Sequence, residues 1–198
     1  MSKSERTRAH IVEQAALLFN QQGYAGTSMS DLMVATGLKK GGLYNHFPSK
    51  DDLALAAFDY AIAHMQKQFR EAIRGKRHAI DRLLAILRVY EHMAEQPPLP
   101  GGCPILNTAI ESDDTHPALR DRTCSALNQW RHLMKRIISK GIQRGELSET
   151  VEAEQVATVL ISTLEGAVMM SKLYEEDSYI HRAIAHLETY LQQLRPPP

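Results

Sequence analysis

Apolar positions recur along this chain at three- and four-residue intervals, and no stretch alternates apolar with polar residues under β-branched enrichment, so every element it predicts is a helix. Ile11, Val12, Ala15, Leu18 and Phe19 line one face of a first helix over Glu5–Gln22, with Gly23 as a left-handed stop. Ser28 and Asp31 have the spacing of a capping box and open a short helix that Gly37 ends. A second short helix is predicted over Lys40–His46, stopping before Pro48. Ser49 with Asp52 repeats the capping spacing and starts a long helix that runs to Arg74. Five more helices follow: Arg77–Glu95, Cys103–Ser112, His116–Arg144, Glu152–Tyr174 and Ser178–Leu194. The breaker Gln96-Pro97-Pro98-Leu99-Pro100-Gly101-Gly102 is the strongest interruption, and Pro196-Pro197-Pro198 cannot be helical. The expectation is an all-α chain of about nine helices.

Composition narrows this little. The 198 residues are 43% hydrophobic and 23% charged, ordinary for a globular protein with a sizeable core. No uninterrupted apolar run reaches the length of a membrane span, so no membrane association is expected. Met1–Arg6 is polar and lacks the apolar core of a signal peptide. Two cysteines make no disulfide framework, so the cytoplasm is the expected compartment. Net charge is zero, yet residues 1–50 hold six Lys or Arg against three acids. A neutral chain with one basic end fits a DNA-contacting module joined to a part that does something else.

Two short helices joined by a tight glycine turn after a longer helix make a helix-turn-helix, whose second helix enters the major groove. Leu43 and Phe47, four apart, pack inward. Lys39, Lys40, Tyr44, Asn45 and His46 are then available to phosphates or base edges. The glycines Gly41 and Gly42 allow close approach of the backbone at some loss of helix propensity. On spacing alone a solvated helical hairpin remains open.

The run Gly23-Tyr24-Ala25-Gly26-Thr27-Ser28-Met29, followed by Gly37-Leu38-Lys39-Lys40-Gly41-Gly42-Leu43-Tyr44-Asn45-His46-Phe47-Pro48-Ser49-Lys50, resembles the signature of the TetR/AcrR repressor family. The likeness covers residues 5–55. It implies a three-helix DNA-binding domain over 1–50 and a helical effector-binding and dimerisation domain over 51–198. It also implies that Thr27, Ser28, Tyr44, His46 and Lys50 grip phosphates, and that Lys40, Gly41 and Asn45 face bases. Gly42 stands where the family often has Ser, Thr or Ala, so one contact is missing.

A helix of about seven residues spans only about 10 Å, so useful affinity calls for a second copy and a short palindromic double-stranded operator. Val156, Leu160, Thr163 and Ala167 form one narrow seam and Ile180, Ile184, Leu187 and Leu191 another. A homodimer interface is expected there, and packing inside the monomer is the alternative. Phe58, Ile62, Met65, Phe69, Tyr90, Leu106, Ile110, Trp130 and Met134 are inward-facing candidates for a small-molecule effector pocket, and core packing accounts for most of them equally well. Cys103 follows two glycines at a helix start, where the dipole lowers a thiol pKa. A thiol-sensing repressor, or a thiol-dependent enzyme, is therefore the rival reading, whereas Cys124 looks structural. No phosphate loop, nucleophile elbow or zinc motif is present and the histidines do not cluster, so no catalysis, cofactor or metal is expected.

Overall fold

A computed structural model describes residues 2–95 and 99–197, with the backbone alone at 93–95. Gln96, Pro97 and Pro98 of the expected breaker, and the last proline, lie outside the described residues. The described residues form nine helices and no strand: α1 (Lys3–Gly26), α2 (Met29–Thr36), α3 (Lys40–Tyr44), α4 (Lys50–Ala72), α5 (Ala79–Glu95), α6 (Pro104–Ser112), α7 (Pro117–Gln143), α8 (Ala153–Tyr174) and α9 (Ser178–Gln193).

The local chemistry explains the ends. Ser2 and Glu5 close a capping box at the start of α1, and Ser28 and Asp31 do the same for α2. Gly37 stops α2 with φ 67°, in the left-handed region that glycine adopts without a steric penalty. The Ser49 hydroxyl accepts the Asp52 N–H at 3.0 Å and donates to its carboxylate at 2.6 Å. The first helix corrects its predicted end. Gly23 does break it, with φ 77° and ψ 168°, but the chain resumes helical geometry to Gly26. The third helix is also shorter than predicted, since Asn45 caps it and His46 lies in the following turn.

The chain packs as two compact units, Met1–Met65 with Leu99–Ala126, and Gln66–Pro98 with Leu127–Pro198. The boundary expected at residue 50 falls inside the first. In that unit Ile11, Ala15, Leu32, Leu43, Phe47 and Leu53 form a common core joining α1 to α4, each no more than 3% exposed. Burying each Ile, Leu or Phe side chain of this set stabilises by about 1.5–3 kcal/mol.

In the second unit α8 and α9 pack on each other and on α5. The Glu146 carboxylate accepts the Ala79 N–H at 2.7 Å, capping α5. Arg131 and Lys135 of α7 both pair with Glu154 of α8, the Arg131 contact measuring 2.8 Å. The Lys135 ammonium is the main cause that holds the Glu154 carboxyl below its usual range. Among the described residues α8 alone is long and apolar enough to cross a membrane, which a search for an uninterrupted apolar run misses. Its Val156, Leu160, Leu164 and Ala167 are nevertheless buried within this unit.

Candidate nucleic-acid interface

The α2–α3 pair is seated on the first core by Leu32 and Leu43. Leu43 (1% exposed) and Phe47 (3%) anchor α3 from beneath, and the guanidinium of Arg8 lies 4.6 Å from the Phe47 ring centre. That anchoring leaves Lys39, Lys40, Gly41, Tyr44 and Asn45 exposed on one short helix, with Gly42 and His46 half-buried at its flanks. The Lys40 ammonium sits 5.8 Å from the Tyr44 ring centre. A Cβ at Gly41 would meet nothing within 4 Å, so the backbone there is open to a groove. A Cβ at Gly42 would lie 3.5 Å from Leu38, an ordinary contact.

Two expected phosphate contacts look different. Thr27 is fully buried and its hydroxyl donates to the Gly23 carbonyl at 2.7 Å, so it ties the turn together rather than facing outward. Ser28 is exposed, but its hydroxyl accepts the Asp31 N–H at 3.2 Å and donates to the Asp31 carboxylate at 2.7 Å. That hydroxyl donation, with a second from the Ser28 N–H at 2.8 Å, holds the exposed Asp31 carboxyl below its usual range. Lys50 is half-buried, with its ammonium 4.2 Å from the Tyr24 ring centre. The Tyr24 hydroxyl donates to Asp51, and burial, aided by Asp51 and Glu111, pushes that phenol up to about 12.

The effector candidates divide between the units. Phe58, Ile62, Met65 and Cys103 are buried in the first, where Leu106 is half-buried and Ile110 is 65% exposed. Ile110 is turned outward, because it lies on the side of α6 away from the buried Ile105 and Ser112. Phe58 borders a cavity of about 40 Å³, room for little more than ordered water. Phe69, Tyr90, Trp130 and Met134 are buried together in the second unit. Three of their rings stack nearly parallel: Phe69–Tyr90 at 6.0 Å, Phe69–Trp130 at 6.0 Å and Tyr90–Trp130 at 5.4 Å. The Tyr90 hydroxyl donates to Glu165 at 3.2 Å, and the buried Trp130 Nε1 has no hydrogen-bond partner.

The residues expected in the dimer seams pack within the single chain. Val156, Leu160, Ala167, Ile180, Ile184, Leu187 and Leu191 are 0–6% exposed within the single chain, and Thr163 is half-buried. The a/d spacing marked where α8 and α9 pack on their own chain. What α8 leaves uncovered is Met169, Met170, Leu173 and Tyr174, 38–72% exposed. Cys103 is 1% exposed at the N-cap of α6, while Cys124, expected to be structural, is exposed beside the buried Thr123. Burial withholds the Cys103 thiol from reagents in this conformation, which weighs against the thiol readings.

Residues 11–57 match the family model for bacterial regulatory proteins of the tetR family, and residues 79–187 match that for the tetracyclin repressor-like C-terminal domain. This chain belongs to the TetR family. It is a DNA-binding transcriptional regulator. A TetR transcriptional regulator from Chloroflexus aurantiacus is 49% identical, superposes with a TM-score of 0.94 and covers 98% of each chain. A TetR-family regulator from Cytophaga hutchinsonii is 35% identical with a TM-score of 0.91, covering 100% of this chain and 99% of its own. The TetR-family regulator CifR, solved as a cysteine-substituted form with a 26-base-pair double-strand operator, shares the fold at 23% identity and a TM-score of 0.80, covering 93% and 94%.

The residues missed in sequence are Asn20, Tyr24, Asn107 and Glu111, which join α1 to α6 and α4. One signal was present: Asn20 is a polar residue on the apolar face of α1, and it is 6% exposed.

Proposed function

We propose that this TetR-family member is a homodimeric repressor that holds a short palindromic operator with α3 of each copy and releases it when a small molecule binds. The observation that carries this is the presentation of α3: Leu43 and Phe47 bury one side, and Lys39, Lys40, Tyr44 and Asn45 face outward beside an unobstructed Gly41. Lys40, Gly41 and Asn45 are placed to read base edges. Tyr44, His46 and Lys50 supply salt-dependent grip on phosphates. CifR bound to its operator supports the same docking here.

A second copy covers the apolar end of α8, where Met169, Met170, Leu173 and Tyr174 lie exposed together. The effector binds in the second unit, against Phe69, Tyr90 and Trp130. Flat rings match that stack, and an acceptor on the ligand would satisfy the Trp130 indole N–H. By linkage, such a ligand releases DNA only if it binds the DNA-free conformation more tightly. Regulation here is by binding rather than by catalysis, in the cytoplasm where the chromosome lies.

The test is selection from a random duplex library with the full chain, followed by a thermal-shift screen of metabolites against the protein. The reading expects an enriched inverted repeat with half-sites about 34–36 Å apart or a multiple of that. It also expects a stabilising compound that lowers affinity for the enriched duplex. Enrichment of a single unpaired half-site, or of nothing, would overturn it.

A further inference from the structure

The end of α1 is held by α6 on two rungs. On the first, Asn20 is buried, and its Nδ2 donates to the carbonyls of Pro100 at 2.9 Å and Gly102 at 3.0 Å. The Asn107 Nδ2 lies 3.1 Å from both the side-chain and main-chain oxygens of Asn20, and donates to Gly101 O at 2.8 Å. The approach is close, since a Cβ on Gly101 would lie 2.3 Å from the Asn20 carbonyl oxygen.

The second rung is one turn further along each helix. Gly23 breaks α1, so the short helical piece that follows begins with N–H groups lacking intrahelical acceptors. Glu111 supplies both: one carboxylate oxygen accepts Tyr24 N–H at 2.7 Å and the other accepts Ala25 N–H at 2.6 Å. A carboxylate suits this because it only accepts; an amide would aim its NH2 group at one of the two donors. Gly23 suits the turn by its φ of 77°, and a Cβ there, 2.8 Å from both carboxylate oxygens, would push the Glu111 side chain from its place. Asn107 and Glu111 are four apart on α6, as Asn20 and Tyr24 are on α1, so both rungs lie on facing stripes.

The second rung leads directly to the interface. Tyr24, whose amide Glu111 holds, carries the ring beneath Lys50, donates to Asp51, and meets His116 edge-on at 4.9 Å between centroids. The clamped turn also contains Gly23 O, the acceptor for Thr27, and ends two residues before the Ser28 cap of α2.

We propose that Glu111 is a positioning residue for DNA binding: its carboxylate sets the Gly23–Gly26 turn, and through it the start of α2 and the seat of Lys50. The proposal rests on the docking described above.

The test compares wild-type chain with Glu111→Ala, Glu111→Gln and Asn107→Ala. The probe is the duplex that the wild type enriches from a random library. Glu111→Ala should weaken binding at least tenfold and speed amide exchange in the segment 20–28, with exchange in α3 and α9 unchanged. Glu111→Gln, which keeps one acceptor, should fall between. Asn107→Ala, which leaves the carboxylate in place, should act in the same direction. A merely structural role would instead lower the melting temperature and raise exchange throughout the first unit, while the folded protein bound DNA normally. Glu111→Ala binding within twofold of wild type would overturn the proposal; if that variant fails to fold, Glu111→Gln binding as wild type would do so. Should the wild type enrich no duplex, the docking itself falls, and unchanged exchange at 20–28 in Glu111→Gln would then refute the clamp separately.

Discussion

The ammonium of Lys50 lies 4.2 Å from the centre of the Tyr24 ring, and the hydroxyl of that ring donates to Asp51, the next residue along α4. Tyr24 thus holds the first turn of α4 by both its face and its edge. A cation over an aromatic face at this distance contributes about 0.5–1 kcal/mol at an exposed site. It fixes where the lysine proposed to grip a phosphate points.

Tyr24 gives a pH dependence with a definite sign. Its phenol is pushed from 10.0 to about 12 in the folded chain, chiefly by burial and then by Asp51. The folded state therefore keeps a proton that the unfolded chain gives up. The resulting stability is fully present below about pH 10 and is lost as pH rises toward 12. Tyr60, also raised by burial, adds to the same decline. Urea unfolding of wild type and Tyr24→Phe across pH 9–12 should show a difference that is flat below pH 10 and narrows above it. A constant difference would mean that Tyr24 titrates normally.

The apolar end of α8 and the seams of α8 and α9 should behave in opposite ways. Leu173→Glu combined with Met170→Glu should yield a folded monomer in sedimentation at micromolar concentration, with helicity kept, because both residues are exposed. Leu187→Ala should cost about 2–5 kcal/mol of unfolding free energy, as expected for a fully buried leucine. A dimer that survives the double substitution would place the partner elsewhere.

The sequence made some parts of this molecule plain and hid others. Caps and stops depend on neighbours within four residues, so Ser28 with Asp31, Ser49 with Asp52, and Gly37 could be read directly. The inward turn of Leu43 and Phe47 follows from spacing alone. Spacing also says that Leu187 or Val156 faces something apolar, but not whether that surface belongs to the same chain. Both faced their own chain. Ile110 followed the same periodicity into solvent. The grip of Glu111 on Tyr24 and Ala25 joins residues 86 and 87 apart, and no local pattern encodes a pairing at that distance.

The two cysteines should separate cleanly. Iodoacetamide with the native chain should label exposed Cys124 and leave Cys103 unmodified until denaturant is added, since Cys103 is 1% exposed. Rapid native labelling of Cys103, read by peptide mass spectrometry and accompanied by loss of DNA binding, would restore the thiol-sensing reading.

The docking of α3 is tested most directly by measuring Lys40→Ala and Tyr44→Ala against an enriched duplex and a scrambled duplex over a range of salt. Tyr44→Ala should weaken both about equally, as loss of a phosphate contact does. Lys40→Ala should lose about 1–3 kcal/mol more on the enriched duplex than on the scrambled one, the discrimination expected of a base contact. Equal losses on both duplexes for Lys40→Ala, or no loss for either variant, would contradict the placement of α3 in the groove.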